Sequence, residues 1–370
     1  MKKFKLVLII LLSIVLVLAL GIGIFIIVLD VKSKRIGNID IEIQNNQESI
    51  IEKETEYTAL TYNIGFGAYD RDYSFFMDEG EMNDGTKTVG KYGKAVSKDN
   101  VLKNTNGSLD ILKSINADFM MLEEVDTDST RSYKVNQYEM ITNSFSNYSV
   151  SYASNFHSGF LPYPFNDMHG IVNSGILTMS RFKMSESKRI ELPVDTKFPT
   201  KFFDLDRCVN LVRYEIADKE LVMITVHLSA YDEGGVYRQK QLKLLNELMS
   251  EEASKGNYVI VGGDFNHDLV NSYERNLFKS EQKLPSWLQK INSDDVCEGF
   301  SIQADDRNPS CRDSDIPYEE NVVFTSVVDG FIVSNNVSVK SVENIVNING
   351  NDVKFMYSDH NASILKFVLK

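Results

Sequence analysis

This 370-residue sequence is short of cysteine and of positive charge, and it has no sulfur-based metal signature. Its three cysteines, Cys208, Cys297 and Cys311, are few and odd in number, so no disulfide framework is implied. Cys297 and Cys311 are open to pairing in an oxidising compartment, but three scattered small hydrophobes are the plainer reading. No Cys-x-x-Cys, His-Glu-x-x-His or EF-hand spacing occurs, which removes those zinc and calcium readings. Lys and Arg number 39 against 52 Asp and Glu, a formal net charge of −13. That disfavours attachment to a polyanion through bulk positive charge, because attraction to phosphate backbones needs a basic face. It leaves open an enzyme that acts on phosphoesters through metal ions. Repeats and low-complexity blocks are also missing, and 43% hydrophobic residues make the chain too apolar for disorder.

What is present is unevenly spread. From Leu6 to Leu29 there is no charged side chain. As a helix this run would rise roughly 36 Å, enough to cross a ~30 Å hydrocarbon core with some tilt. Lys2, Lys3 and Lys5 precede it, and Lys32, Lys34 and Arg35 follow, with Asp30 between. Residues 1–35 thus carry +5 and the rest of the chain −18. We divide the chain into a short basic segment (1–5), a transmembrane anchor (6–29), a polar linker (30–56) and one catalytic domain (57–370). A cleaved signal peptide is the alternative. It is disfavoured by the length of the run and by Leu29-Asp30-Val31-Lys32, which lacks a small-x-small cleavage pattern. The flanking cations nearly balance. The amino terminus and Asp30 favour a single-pass cell-membrane protein with its N-terminus inside and its body outside.

In the body, short apolar runs alternate with helical patterns. Strands are predicted at 57–62, 119–122, 175–179, 209–216, 221–228, 258–262, 328–333 and 362–368, and helices at 101–115 and 236–254. The second helix shows Val236, Leu242, Leu245, Leu248 and Met249 on one broad face. Asn349-Gly350 is a hairpin signal. This pattern predicts a two-layer α/β sandwich around packed sheets. Residues 69–100 form a long aperiodic stretch, which inside a compact domain is more often functional than idle. Tyr69, Tyr73, Phe75, Phe76 and Met77 could give it an apolar edge for lipid, although a packed insertion is the favoured reading.

Five segments end apolar runs on oxygen or imidazole groups: Leu60-Thr61-Tyr62-Asn63, Met121-Leu122-Glu123-Glu124-Val125, Thr225-Val226-His227-Leu228, Gly262-Gly263-Asp264-Phe265-Asn266 and Ser358-Asp359-His360. Each alone is weak, since an Asp or Asn after a strand is commonly a turn former. Pooled, they offer hard ligands suited to Mg²⁺ or Mn²⁺. In this order, and with Val328-Asp329-Gly330-Phe331, they resemble the endonuclease/exonuclease/phosphatase superfamily, from about Tyr57 to the C-terminus. That superfamily includes abasic-site endonucleases, deoxyribonucleases, neutral sphingomyelinases and inositol-phosphate phosphatases.

The resemblance implies a four-layer α/β sandwich, two packed mixed β-sheets flanked by helices, here preceded by one N-terminal transmembrane helix. It implies phosphoester hydrolysis with Mg²⁺ or Mn²⁺ held by Glu124, with Asn63 and Asp359 contributing. Asp264 would orient or deprotonate the water, Asn266 contact phosphate or metal, His227 donate to a phosphate oxygen, and His360 act as base or stabiliser oriented by Asp329. Whether Asp264 or His360 takes the proton stays open. Glu123 stands where the family often has Gln, and strand alternation points Glu123 and Glu124 to opposite faces. Asn173 and Arg207 are substrate-side candidates. Asn173 replaces the substrate-contacting Tyr of abasic-site enzymes, which puts nucleic-acid specificity in doubt. His157, His169 and His267 match no motif and are read as loop histidines. Arg238 and Gln239 are expected to support His227.

No Trp-Cys-Asp-Arg segment is present, which disfavours inositol polyphosphate 5-phosphatases. The acidic body and the anchor favour a phospholipid or other phosphodiester over DNA. A membrane-tethered extracellular nuclease is the alternative, and a catalytically dead anchored binding module is the competing class. The complete motif set argues against the last. The sequence implies no protein partner.

Overall fold

The structure is a computed structural model and describes every residue except Met1, Pro199, Phe203, Asp204, Tyr231, Glu233 and Gly234. Helix α1 (Lys2–Lys32) is long and apolar enough to cross a membrane and stands clear of the body along nearly its whole length. Thirteen strands form two large mixed sheets. They are β1 (Ile39–Asp40), β2 (Glu56–Asn63), β3 (Phe119–Asp126), β4 (Ser149–Leu161), β5 (Gly170–Ser180), β6 (Glu186–Glu191), β7 (Cys208–Ile216), β8 (Lys219–His227), β9 (Tyr258–Asp264), β10 (Phe300–Gln303), β11 (Asp329–Ser334), β12 (Val337–Asn344) and β13 (Ser363–Leu369). One sheet runs β1-β6-β7-β8-β9-β11-β10 and the other β12-β13-β2-β3-β5-β4. Helices α2 (Lys98–Ile115) and α3 (Gln137–Ser144) cover the outer face of the second sheet, and α4 (Val236–Ser254) covers the first. The result is the expected four-layer α/β sandwich.

The period of two in the strands explains both the core and the site. On β2, Tyr57 and Ala59 face the other sheet, whereas Leu60 and Tyr62 face α2. On β8, Leu221 and Met223 face inward, and Val222, Ile224 and Val226 face α4. Moving along the inner faces, the apolar residues give way to Thr61 and Asn63, Glu123, Thr225 and His227, Asp264, and Asp329, all buried. One end of the intersheet layer is therefore greasy and the other is polar. The hydroxyls of Thr178 and Thr225 join the sheets at 2.6 Å near the changeover. The glycines before Asp264 permit this closeness. A Cβ on Gly262 would lie 2.5 Å from the Met121 sulfur, and one on Gly263, where φ is +150°, would lie 2.0 Å from the Val226 carbonyl oxygen.

Several expectations need correcting. The stretch expected as a linker, 30–56, is no loose tether: residues 30–32 continue α1 and 33–56 lie on the body. Arg35 Nε donates to Asp206 at 2.8 Å, Ile39 and Asp40 pair with β6, Gln44 bridges to Val150, and Ile51 is buried in the intersheet core. Alternating isoleucines in a polar segment let it lie flat on the body as a strap. Helix α1 runs on through Lys32, beyond the expected end at Leu29. On α4, Val236 is exposed, and the buried stripe is Arg238, Gln241, Leu245, Met249 and Glu252. Of the three unassigned histidines, His157 lies in β4 and His267 in a two-residue strand, while His169 is in a loop as expected; His169 and His267 are buried. The Asn349-Gly350 turn is present, with both residues at positive φ, and the long 69–100 stretch packs as its own cluster around Phe66, Tyr69 and Tyr73. Cys208, Cys297 and Cys311 are all free thiols.

Candidate active site

The polar ends of the inner strand faces open into a cleft of about 1060 Å³. Asn63, Glu124, Arg207, His227, Asp264, Asn266, Asp359 and His360 all line it. Its hub is one carboxylate oxygen, Asp264 Oδ2. Asn63 Nδ2 donates to this atom at 3.1 Å, and the Nε2 atoms of His227 and His360 lie 3.6 and 3.7 Å away. On the neighbouring strand Asp329 pairs in register with Asp264 and lies beneath the cleft floor, where its Oδ2 takes a 2.8 Å hydrogen bond from His360 Nδ1. That bond fixes the ring so that Nε2 faces Asp264. Asp264, Asp329 and His360 also present ligand atoms within 4.8 Å of one another.

The second carboxylate group arises from a break in strand order. β3 shifts register between Leu122 and Val125, and Glu124 takes a φ of +55°. This bulge corrects the expectation that Glu123 and Glu124 face opposite ways, because the inserted residue cancels one step of the alternation. Glu123 is buried under the cleft floor, accepting from Thr61 Oγ1 at 3.1 Å, while Glu124 reaches the cleft and accepts from Asn63 Nδ2 at 3.3 Å. Asn266 likewise lies past the end of its strand. A left-handed φ of +50° returns it to the cleft, where its Nδ2 donates to the Leu228 carbonyl at 2.8 Å. Asp359 is held by Ser358, whose hydroxyl also donates to the Asn63 carbonyl at 2.7 Å.

Burial and neighbouring charge push these groups in different directions. Burial raises Asp264, with Asp329 adding to the rise and His360 opposing it. Burial also raises Glu123, Glu124 and Asp359, while Arg131 at 3.9 Å partly restrains Glu124. Burial drives His227 well below its usual value, reinforced by Arg207, so that ring is neutral. Burial would lower His360 too, but Asp329 and further acidic neighbours overcome it and hold the ring protonated. One histidine is thus neutral and the other cationic, on either side of a single carboxylate.

Two residues behave differently from the sequence reading. Asn173 does not line the cleft: its amide donates to the Asp128 carbonyl at 2.9 Å, and the adjacent Ser174 and facing Asn155 occupy the wall. Arg238 binds the carbonyls of Trp287 and Asp232 and so braces loops rather than His227. Arg131 was invisible to motif reading. It is buried in the cleft wall, clamped by two bonds to Asp126 and lying 4.0 Å over the Phe66 ring. Burial disfavours its charge, but Asp126 more than compensates. It sits in a polar loop seven residues after Glu124, and no spacing marks it.

A divalent cation fits this donor set. Oxygen atoms of buried Glu123, Asp264 and Asp329 and of half-buried Glu124 and Asp359 are concentrated there, and Glu123 Oε2 and Asp329 Oδ1 are buried without a hydrogen-bond partner. Such groups are costly to bury unless they are protonated or met by positive charge.

The family model for the endonuclease/exonuclease/phosphatase family matches residues 60–360. The chain belongs to that family. Among solved structures, a family protein from Bacteroides vulgatus shares 16% identity, covering 86% of this chain and 100% of its own, with a TM-score of 0.51. One from Beutenbergia cavernae shares 12%, covering 85% and 72%, with a TM-score of 0.53. TDP2 from D. rerio, solved with a single-strand DNA product, shares 14%, covering 85% and 99%, with a TM-score of 0.51. No curated protein matches by sequence. Family members are phosphoester hydrolases that generally use divalent metals, and identities this low carry the fold but no substrate.

Proposed function

We propose that the chain is a membrane-anchored, divalent-metal-dependent phosphodiesterase. The observation that carries this reading is the convergence of Asn63, His227 and His360 on Asp264 Oδ2, with His360 fixed by Asp329 at 2.8 Å. Glu124, Asn63 and Asp359 would hold Mg²⁺ or Mn²⁺, which supplies charge neutralisation at the phosphoryl oxygens. Asp264 accepts the proton of the attacking water, for which its raised affinity suits it. Cationic His360 donates to the developing negative charge, and neutral His227 and the Asn266 amide orient the phosphoryl group. Arg131 and Arg207 supply fixed positive charge in the cleft wall. Helix α1 is read as a single-pass anchor with the body outside the cell.

DNA is the alternative that the zebrafish relative raises, and the net charge of −13 counts against it. The reading is tested with bis-p-nitrophenyl phosphate. Hydrolysis should require Mg²⁺ or Mn²⁺, be removed by chelator, and fall by ~10²–10⁴ in His360→Ala with unchanged circular dichroism. Wild-type turnover in that variant would reject the assignment.

A further inference from the structure

The point at which α1 joins the body is also the mouth of the cleft. A Cβ on Gly159 of β4 would lie 2.7 Å from a Leu29 methyl carbon and 3.6 Å from Lys32 Cβ, so the last turn of α1 packs on this strand. The chain then continues through exposed Phe160 into Leu161, Pro162, Tyr163 and Phe165, all in the cleft lining. A second segment does the same. Lys201 pairs with Asp30 of α1, while Lys197 and Thr200 line the cleft and Phe198 projects to solvent between them. His157 Nε2 meets the Lys34 carbonyl at 2.8 Å, and Arg35 is tied to Asp206, so the helix exit is fixed from several sides. Phe165 is 75% exposed and Phe198 65% exposed, large for aromatic rings in a folded domain.

Asp30 is the first charge after the apolar run, so it marks the level of the bilayer surface. Segments that touch Leu29, Asp30 and Lys32 lie at that level. Exposed aromatic rings flanked by Lys197 and Lys201 match a membrane–water interface, where rings bury their bodies among headgroups and cations attract anionic lipid. We propose that the rim formed by Phe160, Tyr163, Phe165 and Phe198 seats on the bilayer that holds α1, and that the cleft takes the phosphoester of a membrane lipid headgroup. This rests on the anchored phosphodiesterase reading above. The occupant is lipid rather than a protein because α1, the proposed anchor, joins the body at this rim.

The test uses the full chain reconstituted in phosphatidylcholine–phosphatidylserine vesicles. Phe165→Trp is compared with Ile50→Trp, an exposed position beside Ile51 in the core at the opposite end of the strands. Lipids brominated near the headgroup should quench the first by at least half and leave the second unchanged. Phe160→Ser with Phe198→Ser should cut hydrolysis of vesicle phospholipid about tenfold, while soluble bis-p-nitrophenyl phosphate turns over at the wild-type rate. Equal quenching at positions 165 and 50, or lipid turnover unaffected by the serine pair, overturns the seating. Turnover of the soluble diester with no turnover of vesicle phospholipid overturns the lipid assignment. Quenching at 165 with neither substrate hydrolysed keeps the seating and rejects the phosphodiesterase reading instead.

Discussion

The α4 side of the first sheet and the layer between the two sheets treat the same kind of side chain in opposite ways. Under α4, Arg213 reaches Glu186, Glu220 and Glu252 at 2.7–2.8 Å, and Lys255 adds a second cation to Glu252. Burial alone would raise Glu252, but these donors hold it down at about 2. In the cleft between the sheets, Glu123 and Asp264 are buried and Glu124 and Asp359 half-buried, and burial raises all four in spite of Arg131, Arg312 and His360 nearby. In one cluster each carboxylate is paired within the chain; on the proposed reading the other is completed by a divalent cation. Acidic composition on its own does not distinguish the two, but the pairing of each carboxylate does.

The sharpest way to break this contrast is Asp264→Asn. Diester hydrolysis should fall by ~10²–10⁴, while the metal-free protein melts at a higher temperature because a strained buried acid is gone. A lower melting temperature would show that Asp264 is part of the scaffold. In the Arg213 cluster the outcome should reverse. Glu252→Ala leaves Arg213 short of its main partner and should cost about 3 kcal/mol in urea unfolding, with kcat unchanged. Saturating Mg²⁺ should stabilise the wild type, by about 2.7 kcal/mol at a hundred times Kd. Asp359→Asn should lose most of that gain and Glu252→Gln should keep it, as read by thermal shift.

The smallest effect concerns acid sensitivity. Burial pushes His169 down from 6.5 to about 4, among the rings of Phe66, Phe75, Phe76 and Phe156. Between those values the unfolded chain binds the proton and the folded chain does not. Stability therefore rises with pH across this window and is lost as pH falls, by roughly 1 kcal/mol per pH unit for one such group. His169→Phe should flatten the slope of unfolding free energy between about pH 6.5 and 4; an unchanged slope would place the ring in contact with water.

Sequence alone reached the site because its residues end strands whose alternation is regular. Asn63, His227 and Asp264 are each the last residue of such a strand, and their inward direction follows from the apolar residues four positions earlier, Ala59, Met223 and Ile260. It missed features in which local order breaks. The bulge at Glu124 shifts parity by one. The 13-residue β4 carries small polar residues on many buried positions, so its apolar residues, Val150, Ala153, Phe156 and Leu161, show no regular alternation. Arg131 comes from a loop, and its role depends on Asp126 and Phe66, contacts that no local pattern encodes. The strap at 33–56 read as a linker because its few isoleucines are spread through polar residues.

That strap also sets how such an enzyme would meet its substrate. A body on a slack leash samples a volume and responds to bulk concentration. If α1 is the proposed anchor, a body held to the chain just after it by Arg35, Ile39 and Ile51 would not turn away, and its encounters would take place in two dimensions. Its velocity would follow the mole fraction of substrate in the bilayer. Diluting that lipid with an inert one would slow the reaction, and diluting the whole vesicle suspension would not.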